Sequence, residues 1–186
     1  YILDAGQALQ QEMLKSTKGG IYELAIGFAH NSNEKWYIGA TIGIPLINYE
    51  SNTVFMESDT SANTSNHFKQ FTYTDNFKTK GTGGNVKIGI IYRPKDYIRL
   101  GLAIHTPTYM FLKDTRTTNL STAVENPVEF FNVSSQTFTN NQPGEARYIQ
   151  SSPFKAIISG SYVFREIQDV TKQKGFITAD IEYVHH

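Results

Sequence analysis

The chain has 186 residues, 39% of them apolar, and its 17 basic side chains equal its 17 acidic ones. That predicts one domain and offers no charge block for nucleic acid. With no cysteine, disulfides and thiolate metal or redox sites are excluded. No apolar run approaches 18 residues, which excludes a transmembrane helix. A mean hydropathy of −0.37 does not argue against strands that cross a membrane, because such strands keep about half of their residues polar.

The opening Tyr1-Ile2-Leu3-Asp4 has no basic start followed by an apolar run. The chain is therefore expected either to have lost a secretion signal or to begin within a longer protein. Asp4 with Gln7 forms a capping-box pattern, Ala5, Ala8, Leu9 and Met13 fall roughly on one helical face, and Gly19-Gly20 is a stop signal. These features predict a short amphipathic helix at 4–17, placed among the extracellular loops.

Alternation follows. Tyr22, Leu24, Ile26 and Phe28 alternate with Glu23, Ala25, Gly27 and Ala29, predicting a strand over 20–30. Asn31-Ser32-Asn33-Glu34 turns the chain. Trp36, Ile38, Ala40, Ile42, Ile44 and Leu46 then oppose Tyr37, Gly39, Thr41 and Gly43 in a strand over 35–48. The polar stretch 49–83 is predicted as a long loop, with Phe68, Phe71 and Tyr73 able to extend a strand.

The clearest pattern is a hairpin. Val86, Ile88, Ile90 and Tyr92 alternate with Asn85, Lys87, Gly89 and Arg93, and after the turn at Pro94 the residues Ile98, Leu100, Leu102 and Ile104 alternate with Arg99, Gly101, Ala103 and His105. Strands are expected over 84–93 and 97–106, with one oily and one wet face. A second long polar loop, 107–149, opens with Tyr109, Met110, Phe111 and Leu112. Two further strands are expected over 153–164 and 175–184. Connections therefore run short, long, short, long, as in an up-and-down barrel with short periplasmic turns and long extracellular loops.

The fold expectation is all-β: part of an antiparallel, up-and-down transmembrane β-barrel, with 1–186 forming one partial barrel domain. About six strands are too few to close, since membrane barrels need about eight and an unclosed edge in lipid costs several kcal/mol per unpaired group.

Gly83-Gly84-Asn85-Val86-Lys87-Ile88-Gly89-Ile90-Ile91-Tyr92-Arg93-Pro94 followed by Ile98-Arg99-Leu100-Gly101-Leu102-Ala103-Ile104-His105-Thr106-Pro107-Thr108 resembles the central hairpin of the FadL/TodX-type outer-membrane transporters of hydrophobic compounds. Trp36-Tyr37-Ile38-Gly39-Ala40-Thr41, Ser152-Pro153-Phe154-Lys155 with Gly160-Ser161-Tyr162, and Gly175-Phe176-Ile177-Thr178-Ala179-Asp180-Ile181-Glu182-Tyr183-Val184 are similar to further pieces of that family, in the same order. The resemblance covers most of the chain and implies a larger barrel of about 14 strands. The plug and the Asn-Pro-Ala-type start of the family do not occur here.

By that resemblance the function is passive uptake of long-chain fatty acids or other hydrophobic small molecules across a bacterial outer membrane, with no cofactor, no metal and no catalysis. Lipid or detergent and an oily substrate are the expected partners, and no nucleic acid is expected. Candidate ligand contacts are Leu9 and Met13 on the helix, Tyr109, Met110, Phe111 and Leu112 at the loop entrance, and Lys87, Arg99 and His105 on the wet face. Each buried methylene contributes about 0.8 kcal/mol, so such a groove selects chain length. Lys87, Arg93 and Arg99 could receive a carboxylate, or be paired with Glu23, Asp180 or Glu182. A soluble β-barrel lipid carrier and a structural or adhesive surface barrel are the competing readings.

Three catalytic or metal patterns are incomplete. Ser152-x-x-Lys155 sits at a strand start without the helix its chemistry uses. Gly81-Thr82-Gly83-Gly84 lacks the Lys-Ser/Thr of a phosphate loop. Asp59, Ser61 and Asn63 lack the glycine and terminal Glu of a calcium loop.

Overall fold

A computed structural model describes residues 9–61, 64–125, 127–164 and 174–185. They form nine strands: β1 (Leu9–Ser32), β2 (Trp36–Asp59), β3 (Gln70–Lys95), β4 (Ile98–His105), β5 (Tyr109–Glu125), β6 (Val128–Ser134), β7 (Gly144–Ser151), β8 (Phe154–Phe164) and β9 (Gly175–His185). The only helical turn among them is a 3-10 turn at Ser135–Phe138. The chain is thus an all-β protein with an antiparallel sheet. The strand order is β1-β2-β3-β4-β8-β9, with β5 paired to β3, β6 and β7.

The six strands expected from alternation are all present, and two expectations are corrected. The helix at 4–17 is not formed: residues 4–8 lie outside the described residues, and from Leu9 onward the chain is strand. Local helical spacing is outweighed there by a partner strand. Gln11 donates to Glu57 Oε2 at 2.6 Å, and Gly19, at φ 101°, lies so close to Asn48 that a Cβ would meet its carbonyl. Backbone pairing with β2 overrides a weak propensity.

The long loops also largely vanish. β2 and β3 run for 24 and 26 residues, leaving 60–69 as their connection, and β5, β6 and β7 fill most of 107–149. A strand wetted on both faces carries no apolar alternation, so its sequence gives a period search nothing to find. What it does carry is Thr and aromatic residues that suit a pleated surface. Phe55 and Phe71 pack with ring centroids 5.7 Å apart, and Tyr49 and Phe77 at 6.5 Å.

By contact density the chain divides into two units. The first comprises Tyr1–Ile21, Ile47–Gly81 and Leu112–Tyr148. Within it the β2–β3 connection is closed by Asp59 N donating to Lys69 O and by Lys69 N donating to Ala123 O, with Phe68 buried beneath. Asp59 accepts from Ser61 N at 2.7 Å and from Asn66 Nδ2 at 2.5 Å. Those bonds, the Asn66 one foremost, hold its carboxyl below the ordinary value of 3.8.

The second unit comprises Tyr22–Leu46, Thr82–Phe111 and Ile149–His186. The β1–β2 turn places Asn33 and Glu34 at positive φ, as a type I′ hairpin requires, and Glu34 N donates to Asn31 Oδ1. β3 and β4 pair from Lys87↔His105 to Tyr92↔Leu100, with a bulge before Lys95↔Ile98, and Arg93 is paired to Asp96 at 3.0 Å. Two proline breaks adjoin: Thr106-Pro107-Thr108 between β4 and β5, and Ser152-Pro153 between β7 and β8. Proline has no N–H to give the ladder. Side chains fill the gap, Thr106 Oγ1 accepting from Val86 N and Ser152 Oγ accepting from Thr108 N.

Candidate functional site

The second unit has an unusual division of faces. On β2 every even position from Trp36 to Leu46 is exposed, while Tyr37, Gly39, Thr41, Gly43 and Pro45 are partly or fully covered. β3 repeats this, with Val86 and Ile88 exposed and Asn85, Lys87 and Gly89 covered. β4 repeats it again, Leu100, Leu102 and Ile104 being exposed and Gly101, Ala103 and His105 covered. The oily side chains are therefore on the exposed face and the small or polar ones on the sheltered face, the reverse of a sheet that packs its apolar face against a core. Aromatic rings gather on the turn side of this unit: Trp36 stacks on Tyr92 at 4.2 Å, and Tyr97 meets Tyr162 edge-on at 5.5 Å.

The sheltered face carries a shallow trough of about 400 Å³ whose lining includes Gly39, Thr41, Lys87, Gly89, Ala103 and His105. A second, of about 370 Å³, is lined by Tyr37, Gly101, Ile157 and Ser159 among others. Glycine and alanine keep the floor low. Strand register lays a row of polar groups across it. Lys87 is opposite His105, and His105 is opposite Lys155. At the two ends Lys87 Nζ lies 3.3 Å from Glu23 Oε1 and Lys155 Nζ lies 2.9 Å from Glu182 Oε1. Each lysine is thus matched by a carboxylate, with His105 between them.

Gly43 explains how this row fits. Asn85, only 8% exposed, donates through Nδ2 to Glu23 Oε1 at 3.3 Å, so side chains of β1 and β3 meet over β2. A Cβ on Gly43 would collide with Glu23 Oε1 and come within 2.7 Å of Asn85 Oδ1.

Of the residues predicted for ligand contact, the structure brings Lys87 and His105 together as register partners. Arg99 shares their strand face but stands opposite Ser161, six residues and about 20 Å along β4 from His105. The apolar entrance patch is not one patch. Strand alternation turns Tyr109 and Phe111 to the exposed face, while Met110 is half-covered and Leu112 is buried at 7% exposure. Leu9 and Met13 belong to β1 instead of a helix, and Met13 is exposed.

Glu23 and Glu182 are among the carboxylates expected to pair with wet-face cations, and Glu23 does meet Lys87, while Glu182 meets Lys155; Lys155 and Asn85 complete the row without having been predicted. The signal was present in part, since a carboxylate on each terminal strand sat in phase with the lysines, but register alone decides which meet. The Ser152 and Lys155 pair has other partners, Ser152 Oγ serving Thr108 N and Lys155 serving Glu182. Among the described residues no group of His, Asp and Glu could hold a metal, and no helix is long and apolar enough to cross a membrane, which says nothing of a β-barrel. No protein-family model and no curated protein matches this chain.

Proposed function

We propose that this chain forms part of an outer-membrane β-barrel that takes up hydrophobic small molecules of the long-chain fatty-acid type. The observation that carries the reading is the inverted division of faces on β2, β3 and β4. Leaving a Leu or Ile half-exposed to water forfeits roughly 1 kcal/mol, and a sheet that does so on strand after strand is stable only where that face meets hydrocarbon. Dimensions support it. β8 and β9 each run for 11 residues, or about 36 Å at ~3.3 Å each; tilted by the 35–45° usual in barrels they rise about 26–30 Å, close to the hydrocarbon thickness. The aromatic cluster on the turn side suits an interfacial girdle.

A soluble lipid carrier would turn its oily stripe inward around the ligand, whereas here the sheltered face bears glycine, lysine and histidine. That face is balanced in charge, so it favours passage of an oily chain over capture of a carboxylate by a lone cation. The family resemblance of the β3–β4 hairpin supplies the substrate class.

Two measurements test this. Purification from membranes should require detergent, and a monodisperse monomer in plain buffer would sink the membrane reading. Gly89→Trp, at a position where a Cβ meets nothing closer than 3.9 Å, fills the trough without a backbone clash. It should lower fatty-acid uptake into vesicles carrying the protein by tenfold or more; unchanged uptake would remove the trough from the path.

A further inference from the structure

The first unit carries a different feature, a row of ion pairs across five neighbouring strands. Glu50 on β2 is held between Lys18 on β1 at 3.4 Å and Lys78 on β3 at 3.2 Å. Glu145 on β7 is held between Lys113 on β5 at 2.6 Å and Arg147 at 2.7 Å. β1, β2, β3, β5 and β7 are successive neighbours in the sheet. Four cations therefore stand against two carboxylates, and Lys80, exposed two residues beyond Lys78, adds a fifth on the same strand face. The carboxylates stay charged: Lys78 before Lys18 lowers Glu50, and Lys113 before Arg147 lowers Glu145, each from an ordinary 4.5. Between the triads a trough of about 330 Å³ is lined by Glu50, Lys78, Asn76, Thr115 and Thr117, offering hydroxyl and amide donors beside the ammonium.

Strand phase says which face this is. Side chains two residues apart share a face. On β2 the apolar even positions end at Leu46 and the same phase passes through Asn48 to Glu50, and on β3 Lys78 and Lys80 have the phase of Val86 and Ile88. On β5 Lys113 follows Tyr109 and Phe111, and on β7 Arg147 precedes the exposed Ile149. In that phase β3 brings Lys78 and Lys80, β5 brings Lys113 and β7 brings Arg147, while β2 brings the carboxylate of Glu50.

We propose that this row is a docking surface for phosphate-bearing lipid headgroups of net negative charge in the leaflet that surrounds the protein. The excess cations meet the phosphates, the trough donors Thr115, Thr117 and Asn76 satisfy the remaining oxygens, and the two glutamates hold the lysine and arginine side chains apart in fixed positions. A chain with equal numbers of acidic and basic residues gains here a local positive surplus where an anionic headgroup lies. The proposal rests on the membrane reading above, and the test separates the two.

The intact protein in detergent is titrated with nanodiscs or mixed micelles of phosphatidylglycerol or of phosphatidylcholine, and the bound lipid is counted by native mass spectrometry. Preference for the anionic lipid is expected, weakening with salt. Lys78→Gln with Arg147→Gln should lower that preference about thirtyfold, at about fivefold per cation removed, while detergent dependence and uptake are unchanged. Lys78→Arg should restore most of it. Inorganic phosphate at equal phosphorus concentration should not displace the lipid. Equal affinity for the two lipids, an unchanged preference in the double variant, or full displacement by free phosphate would each overturn the docking surface and leave the membrane reading standing. Solubility without detergent would overturn both.

Discussion

The two units build strands by opposite means. In the second, each strand separates an apolar exposed side from a polar sheltered one, and the pattern is visible residue by residue. In the first, strands with little apolar content are held by cross-strand partners: Arg116 to Asp75 at 2.7 Å, Thr79 to Asp114 at 2.7 Å, and the triads around Glu50 and Glu145. The Asp75 partner raises the Arg116 guanidinium above its ordinary value, and burial together with Asp114 raises Tyr148 above 10.0. Backbone pairing needs neighbours, not oil. Periodicity therefore reports what a face meets, and says little about whether a strand exists.

Substitutions can break that contrast. A charge on the exposed face of the second unit should cost most: Leu102→Lys, 43% exposed in the isolated chain, should destabilise the protein in lipid by about 2–4 kcal/mol, measured by denaturant unfolding in vesicles. Thr115→Lys in the first unit should stay within about 0.5 kcal/mol. Similar costs at both positions would erase the distinction between the units.

Gly43→Ala comes next. Its Cβ drives Glu23 away from Asn85 and Lys87 and should cost about 1–3 kcal/mol, whereas Gly89→Ala, with room for a methyl, should be close to neutral. An equal loss for both would mean the polar row does not depend on the gap in β2. Thr106→Val removes the acceptor for Val86 N beside the proline break and should cost about 1 kcal/mol, read from the same unfolding curves and from faster hydrogen exchange at Val86.

The smallest effect is on pH, and it is expected in the first unit. Glu50 and Glu145 have folded values below 4.5, so the unfolded chain binds the proton more readily. Their contribution is complete above pH 4.5 and is lost as the pH falls through the lowered folded values. Replacing both by Gln should flatten the acid limb of the stability profile. Because both sites are exposed, the change is modest and shrinks further in high salt.

How much of this the sequence announced depends on the element. The β3–β4 hairpin could be read directly, because Val86, Ile88, Leu100, Leu102 and Ile104 alternate with polar or small residues, and the observed pairing follows. β5 to β7 could not be read, since Tyr109-Met110-Phe111-Leu112 looks like a cluster until alternation separates its members onto two faces. At the candidate site Lys87, Arg99 and His105 were visible as wet-face residues. That Lys87 meets Glu23 while Arg99 lies about 20 Å away from His105 follows from register, a property of two strands.

By itself the sequence determined the strand type, the six apolar alternations and the choice of which residues share a face, because side-chain direction in a strand has a fixed period of two. Only the tertiary structure decided that residues 9–17 are strand, that the oily face is the exposed one, and which charges become partners. Those outcomes depend on energies shared between segments distant in the chain, such as Gln11 with Glu57 or Lys113 with Glu145, and no local pattern carries them.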